Sequence, residues 1–433
     1  MSEWKETEMG LIPKEWHYVS FQSVLSQSLR NGIYKSKEYH GRGIRVVNMG
    51  EIFAFDKLPS IQMSRIELSD EEIEKSSVIE GDLLFARRSL VAEGAGKCTL
   101  VLKQEENLTF ESSIIRARPN SKKANSEYLL YLFSCRIGKY LLKTILRQVA
   151  VSGITGSDLA KLKLPLPPIE EQKRIAAVLS CLDAKIDNLR RQNETLEKIA
   201  QTLFKHWFID FEFPNEEGKP YKSSGGAMSP SELGDIPAGW KVLIFQECLK
   251  HLIDNRGKTP QFFESGIPAL SAKFVKGGFL INQDSFNYVA LELFDSSEKL
   301  EVGDIIMTSE APLGELFYIA KNTNYYPAQR VFALRANPEI ISPSYFNYWL
   351  ASPLGQSLIK RRGTGSTVQG IKQSELYKCE VLIPKQEIME RASGVFSQVL
   401  LKKEVNGEQI QILAKTRDTL LPKLMSGQIR IKE

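Results

Sequence analysis

The sequence states one unit twice, and a repeat of this length restricts the fold more than any local pattern can. Met9–Trp16 (MGLIPKEW) returns as Leu233–Trp240 (LGDIPAGW), 224 residues on, and Glu80–Phe85 (EGDLLF) returns as Val302–Met307 (VGDIIM), 222 residues on. The register then settles at 217. Tyr128, Tyr131, Gly138, Leu141 and Lys143 match Tyr345, Tyr348, Gly355, Leu358 and Lys360; Leu159, Lys161, Pro167, Glu170 and Arg174 match Leu376, Lys378, Pro384, Glu387 and Arg391. So many identities at one spacing mark a duplication. The offset shrinks between positions 88 and 110 of the first copy, a Gly- and charge-rich stretch expected to form a surface loop. Differences between the copies are therefore expected in loops.

Each copy ends in a heptad stripe. In the first, Ile175, Leu179, Leu182, Ile186, Leu189, Leu196 and Leu203 recur at alternating steps of four and three, with Asn193 and Ala200 in the two gaps. In the second, Ala392, Phe396, Val399, Ile410, Leu413 and Leu420 fall 217 residues later, while Lys403, Asn406 and Arg417 interrupt the stripe. A stripe this narrow buries little on its own, so each helix needs a partner, and its duplicate supplies one. An antiparallel pairing brings the second helix back towards the first unit and gives a dumbbell with an approximate internal twofold. Polar residues at seam positions are expected to fix register at some cost in stability, or to meet another subunit.

The expected organisation is therefore a globular unit over residues 1–167, a long helix over 168–208, a Gly-, Ser- and Pro-rich linker over 209–232, a second unit over 233–384, a second long helix over 385–422 stopped by Pro422, and a tail over 423–433. Short β-like runs followed by one amphipathic helix (126–147, and 343–362 in the second copy) predict an α+β fold for each unit. A hydrophobic fraction of 42% and a charged fraction of 25% are those of a soluble globular chain. The charged N-terminus and the lack of an apolar run of roughly 18 residues predict a cytoplasmic protein with no membrane partner. Five scattered cysteines without a CxxC pair, and only four histidines, argue against a disulfide framework and against a metal site.

The chemistry of catalysis is sparse. The Gly cluster at 93–97 (EGAGK) lacks the spacing of a phosphate-binding loop, and the only Pro-Pro pair, Pro167-Pro168, sits in no methyltransferase motif. Glu80 with Asp82, or Glu301 with Asp304, could serve a metal-dependent nuclease, but a turn before a strand explains Asp82 and Asp304 as well. Basic and amide groups carry more information. Arg136, Lys139, Lys143 and Arg147 follow helical spacing, and Lys360, Arg361 and Arg362 crowd the corresponding helix end. Such a stripe suits phosphate contacts, and also suits a solvated helix face. Each helix leads into a polar loop carrying Ser152 and Thr155 in one copy and Thr364, Ser366, Thr367 and Gln369 in the other. A second candidate reader follows the Gly-Asp strand: Arg87, Arg88 and Lys97 in the first copy, Ser309, Glu310 and Glu315 in the second. Arg reads guanine and Glu accepts from cytosine, so the two copies would read different bases.

The duplicated architecture, the LPLPPIEEQKRIAAVLSCLDAKID helix, its HWFIDFEFP exit and the YKSSGG and SELGDIPAGW segments that follow resemble the specificity subunit of type I restriction–modification enzymes over essentially the whole chain. The second copy departs from the pattern, with PKQEIMERA in place of P-P-x-x-E-Q. The resemblance implies a non-catalytic reader of double-stranded DNA, with a target recognition domain in each unit and the helices as a ruler between two half-sites. It further implies two modification subunits that bind S-adenosylmethionine and methylate adenine, and restriction subunits that use ATP and Mg2+. The residues alone leave open a protein-binding adaptor without DNA specificity, and a nuclease with a scattered site.

Overall fold

The two long helices are the longest elements of the chain. The computed structural model describes residues 4–8, 10–89, 94–147, 152–255, 257–258, 260–365 and 368–431. The helices span Ile169–Phe204, 36 residues, and Gln386–Met425, 40 residues, or roughly 54 and 60 Å at about 1.5 Å per residue. Two compact units share them: Met1–Ile186 with Ile412–Glu433, and Asp187–Gln411.

In both units the helices pair antiparallel. In the first unit Ile175, Leu179 and Ile186 are buried, Leu182, Leu413 and Leu420 are half-buried, and the Arg417 guanidinium donates to Asp183 Oδ1 at 2.8 Å. In the second unit Leu189, Asn193, Ala200, Ala392, Phe396 and Val399 are buried, with Leu196, Leu203 and Ile410 half-buried. There Asn406 Nδ2 donates to Asn193 Oδ1 at 2.9 Å, and the Lys403 ammonium, also buried, pairs with Glu197. Each polar interruption of the second stripe thus has a polar partner on the facing helix, as a low-dielectric seam requires.

Pro422 does not stop the second helix. The helix runs through it to Met425 because Leu424 and Met425 are drawn into the core of the first unit, where both are buried. Nor do the described residues after the helix, up to Ile431, hang free as a tail. Arg430 donates to Glu171 Oε2 at 2.8 Å and to Glu15 at 2.7 Å, Trp16 Nε1 donates to the same Glu171 oxygen at 3.2 Å, and Arg174 Nε donates to the Ile431 carbonyl at 3.0 Å. The linker expected over 209–232 is likewise packed. Phe213 stacks on Trp240 at 5.1 Å, and Met228–Ser231 forms a ladder with Gly234–Pro237, the counterpart of Trp4–Thr7 on Gly10–Pro13.

Each unit is α+β. The first holds a five-stranded sheet in the order Arg30–Asn31, Ile114–Ala117, Leu83–Ala86, Cys98–Val101, Lys57–Leu58. The second holds an antiparallel sheet in the order Leu249–Asp254, Val331–Ala336, Ile305–Thr308, Leu316–Tyr318. Cys98–Val101 lies inside the stretch expected to be a surface loop, yet it is buried along its whole length, as a short apolar strand covered on both faces should be. Phe21, Phe85 and Phe133 meet edge-on behind the first sheet with centroids 5.0 to 5.9 Å apart. Among the described residues no helix is long and apolar enough to cross a membrane.

The amphipathic helix expected over 126–147 is two helices, Ser126–Ser134 and Arg136–Thr144, broken at Cys135. Its counterpart breaks at Ser352 into Pro343–Ala351 and Pro353–Arg361; the Ser352 hydroxyl accepts from Gly355 N–H, and Pro353 cannot continue the preceding helix. Gly138 and Gly355 let the second helix of each pair close on the first: a Cβ there would lie 2.0 Å from the Leu132 carbonyl oxygen and 2.2 Å from that of Trp349. Gly138→Ala or Gly355→Ala is therefore predicted to destabilise its unit by about 1–3 kcal/mol, whereas Gly394→Ala, on an open helix face, should stabilise by about 0.5–1 kcal/mol; urea unfolding midpoints measure both. In the same assay Asn406→Leu should cost about 1–3 kcal/mol by leaving Asn193 buried without its partner, and Asn193→Leu added to it should recover most of that loss.

Candidate nucleic-acid interface

The two aspartates that a nuclease reading would use are already committed. Asp82 is buried and accepts from Arg118 through Nε at 2.7 Å and Nη2 at 2.8 Å, and from the Ile79 N–H at 3.0 Å. Asp304 repeats this with Arg335 at 2.9 and 2.8 Å and with the Glu301 N–H at 2.8 Å. These hydrogen bonds raise the pKa of both guanidiniums further. A bidentate buried pair fixes the turn before each central strand, which is the structural role the sequence allowed for Asp82 and Asp304.

Beyond those strands, the two loops that the sequence offered separately come together. In the first unit Arg88 lies opposite Gly153 and Ser89 opposite Ser152 in a short ladder, and the Ile154 N–H donates to the Arg87 carbonyl at 3.0 Å. Arg147 also bridges to Gly153. The second unit builds the same joint: Glu310 bridges to Gly370, Thr364 bridges to Gly370, and the Ile371 N–H donates to the Ser309 carbonyl at 2.9 Å. The joint frames a groove of about 440 Å³ lined by Ser309, Glu310, Gln329, Arg330, Thr364 and Lys372. The buried Ser309 hydroxyl has no hydrogen-bond partner among the described residues.

A second groove lies beside the short basic helix. In the first unit Lys97, Lys139 and Lys143 line a cavity of about 670 Å³, with Lys97 ion-paired to Asp56. In the second unit the matching cavity, about 720 Å³, carries Glu315, Gln356 and Lys360, and the Glu315 carboxylate accepts from the Gly277 N–H at 2.7 Å. The first groove is thus the more basic.

The remaining candidates divide between exposed and engaged groups. Arg88, Arg136, Lys139, Lys143 and Lys360 are exposed and make no ion pair among the described residues. Arg147 is not on the helical stripe: the helix ends at Thr144, and Arg147 pairs with Asp158 at 2.7 Å. Thr155 caps the next helix and donates to Asp158 at 2.8 Å; that bond, and then Arg147, hold the Asp158 carboxyl below the usual range. Arg361 reaches Glu380 at 3.4 Å, and Arg362 reaches Glu380 at 3.5 Å and Glu375 at 3.9 Å. Arg87 is half-buried and donates through Nη1 to the Ser112 carbonyl at 3.3 Å. Gln369 folds back onto the Lys360 carbonyl at 2.9 Å. Ser366 and Thr367 lie outside the described residues. Arg330 was not singled out by the sequence, where it reads as the first residue of a strand; it sits instead in the turn before Val331–Ala336 with φ 64°.

The family model for the type I restriction modification DNA specificity domain matches residues 13–198 and 251–413, which is most of each copy. The MjaIX specificity subunit of Methanocaldococcus jannaschii is 30% identical over 100% of this chain and 98% of its own length. The HindI specificity subunit of Haemophilus influenzae is 21% identical over 99% of this chain and 100% of its own. The crystal structure of the S subunit from M. genitalium shares the fold, with a TM-score of 0.64 at 16% identity over 94% of this chain and 96% of that one. The chain belongs to the family of type I restriction–modification specificity subunits.

Proposed function

We propose that each unit is a target recognition domain reading one half of a bipartite double-stranded DNA site. Residues 1–167 and 233–384 would supply the two domains, and the paired helices would set the number of unread base pairs between the half-sites. As a member of its family the chain is the DNA-recognition subunit of a type I complex and carries no catalytic role, so the adaptor and nuclease readings fall away. S-adenosylmethionine, ATP and Mg2+ belong on this reading to partners: two modification subunits that methylate adenine, and restriction subunits.

The reading rests above all on one observation. The same two-loop joint recurs in both units, but with Arg88 in one where Glu310 stands in the other, and with Lys97 where Glu315 stands. A conserved frame carrying opposite charges is what two readers of different sequences need, since phosphate contacts position while base-edge contacts specify. Arg136, Lys139 and Lys143, exposed on the first unit's short helix, suit the positioning role. The long helices also repeat an exposed apolar group at the same place, Val178 at 39% and Val395 at 43% exposure. Such a duplicated site suits two identical modification subunits, one per unit.

Two measurements follow from this reading. Replacing Lys139 and Lys143 by Ala should weaken DNA binding alike on all sequences and lower the slope of log K against log salt by about 2, since each phosphate contact contributes about 0.9. An unchanged slope would show a merely solvated helix face. Inserting about one helical turn (~4 residues) into both long helices should lengthen the unread spacer and leave both half-sites intact, as read by protection of a spacer-length library in complex with the modification subunits. Unchanged spacing would remove the ruler role.

A further inference from the structure

The groove of the second unit holds an arginine in an unusual setting. Arg330 Nε lies 2.9 Å from Glu310 Oε1 in an ion pair, with the arginine side chain 61% and the glutamate side chain 40% exposed. Its backbone lies at φ 64°, a left-handed conformation that costs a residue with a Cβ and is held only where the surroundings enforce it. They do so here: the Arg330 carbonyl accepts from the Ser309 N–H at 2.9 Å, and the Ser309 carbonyl accepts from the Ile371 N–H at 2.9 Å. Gly370 lets the polar loop close against this joint, since a Cβ there would approach Glu310 Cβ to 3.2 Å and the Ser309 carbonyl oxygen to 3.3 Å.

The first unit puts different groups at the same places. At the offsets of the repeat, Arg330 corresponds to Ser113 and Glu310 to Arg88; the Ser113 carbonyl accepts from the Arg87 N–H at 2.8 Å, just as that of Arg330 accepts from Ser309. The frame is common, and the charges set on it differ. With Nε ion-paired to Glu310, both terminal nitrogens of Arg330 remain as a planar pair of donors, and a guanine offers O6 and N7 as the matching acceptors in the major groove. A lysine at this position would give one rotatable point charge and no fork.

We infer that Arg330 reads a guanine in the half-site of the second unit, and that Glu310 is the positioning residue that aims its guanidinium. This deepens the proposed function and rests on it. The test uses the full chain assembled with its modification subunits and a library of bipartite targets randomised in one half-site at a time. Arg330→Ala should relax preference for G·C at one position of the second half-site by roughly tenfold or more, leaving the first half-site unchanged. Arg330→Lys should keep the overall affinity and its salt slope but not restore that preference. Glu310→Gln, which keeps a polar side chain of the same length beside Nε, should retain more of the preference than Glu310→Ala. A uniform loss of affinity in Arg330→Ala with every base preference intact would show a phosphate contact and overturn the inference, as would full discrimination in Arg330→Lys. If the unaltered complex bound no bipartite site, the proposed function itself would fail; if it did and the Arg330 variants read it normally, this inference alone would fail.

Discussion

Two helices, each with an apolar stripe too narrow to be buried alone, must be covered along their length, and the rest of the chain is arranged to cover them. One α+β unit takes Ile175, Ala176 and Leu179, and the other takes Ala200, Phe204, Phe396 and Val399. The polar positions in the stripe make the pairing specific as well as stable. Lys403 with Glu197, Asn406 with Asn193 and Arg417 with Asp183 are matched only in this register. A shift along the helices would bury charges without partners, which costs far more than the pairs contribute in place.

The helix ends show how a duplicated sequence can diverge around one task. In the first unit Glu171 and Gln172 of the EEQ motif act as a clamp: Glu171 takes Trp16 and Arg430, and Gln172 spans the carbonyls of Pro167 and Lys123. The second unit has Ile388 and Met389 at those positions, and its Trp240 is packed instead by Phe208, Phe211 and Phe213 from the HWFIDFEFP segment. Trp240 Nε1 correspondingly has no hydrogen-bond partner among the described residues. One tryptophan is held by charge and the other by aromatic rings, so the motif's departure in the second copy is a change of packing chemistry.

Periodicity and repetition made much of this legible from the residues. The 217-residue spacing and the heptad stripe predict the paired helices, and the Gly-Asp turn before each central strand carries the buried Asp that it needs. What stayed hidden depended on tertiary context. Cys98–Val101 is too short to signal itself amid charges, and the break at Cys135 comes from the close approach that Gly138 permits. The local rule that Pro422 ends a helix is overridden by the burial of Leu424 and Met425. The grooves were hardest to foresee. Their loops are far apart in sequence, Thr155 and Arg147 are engaged by Asp158, and Arg330 reads as an ordinary strand residue until its turn and its glutamate partner are seen.

Two units on one frame, with unlike side chains at matching places, should read two unlike sequences. Sequencing the methylated bases in the DNA of a host that carries this chain with its modification subunits tests that most directly. The account predicts a bipartite motif, two different short half-sites separated by a fixed number of unread base pairs, with one methylated adenine in each half and on opposite strands. A single continuous short motif, or methylation without sequence preference, would contradict it.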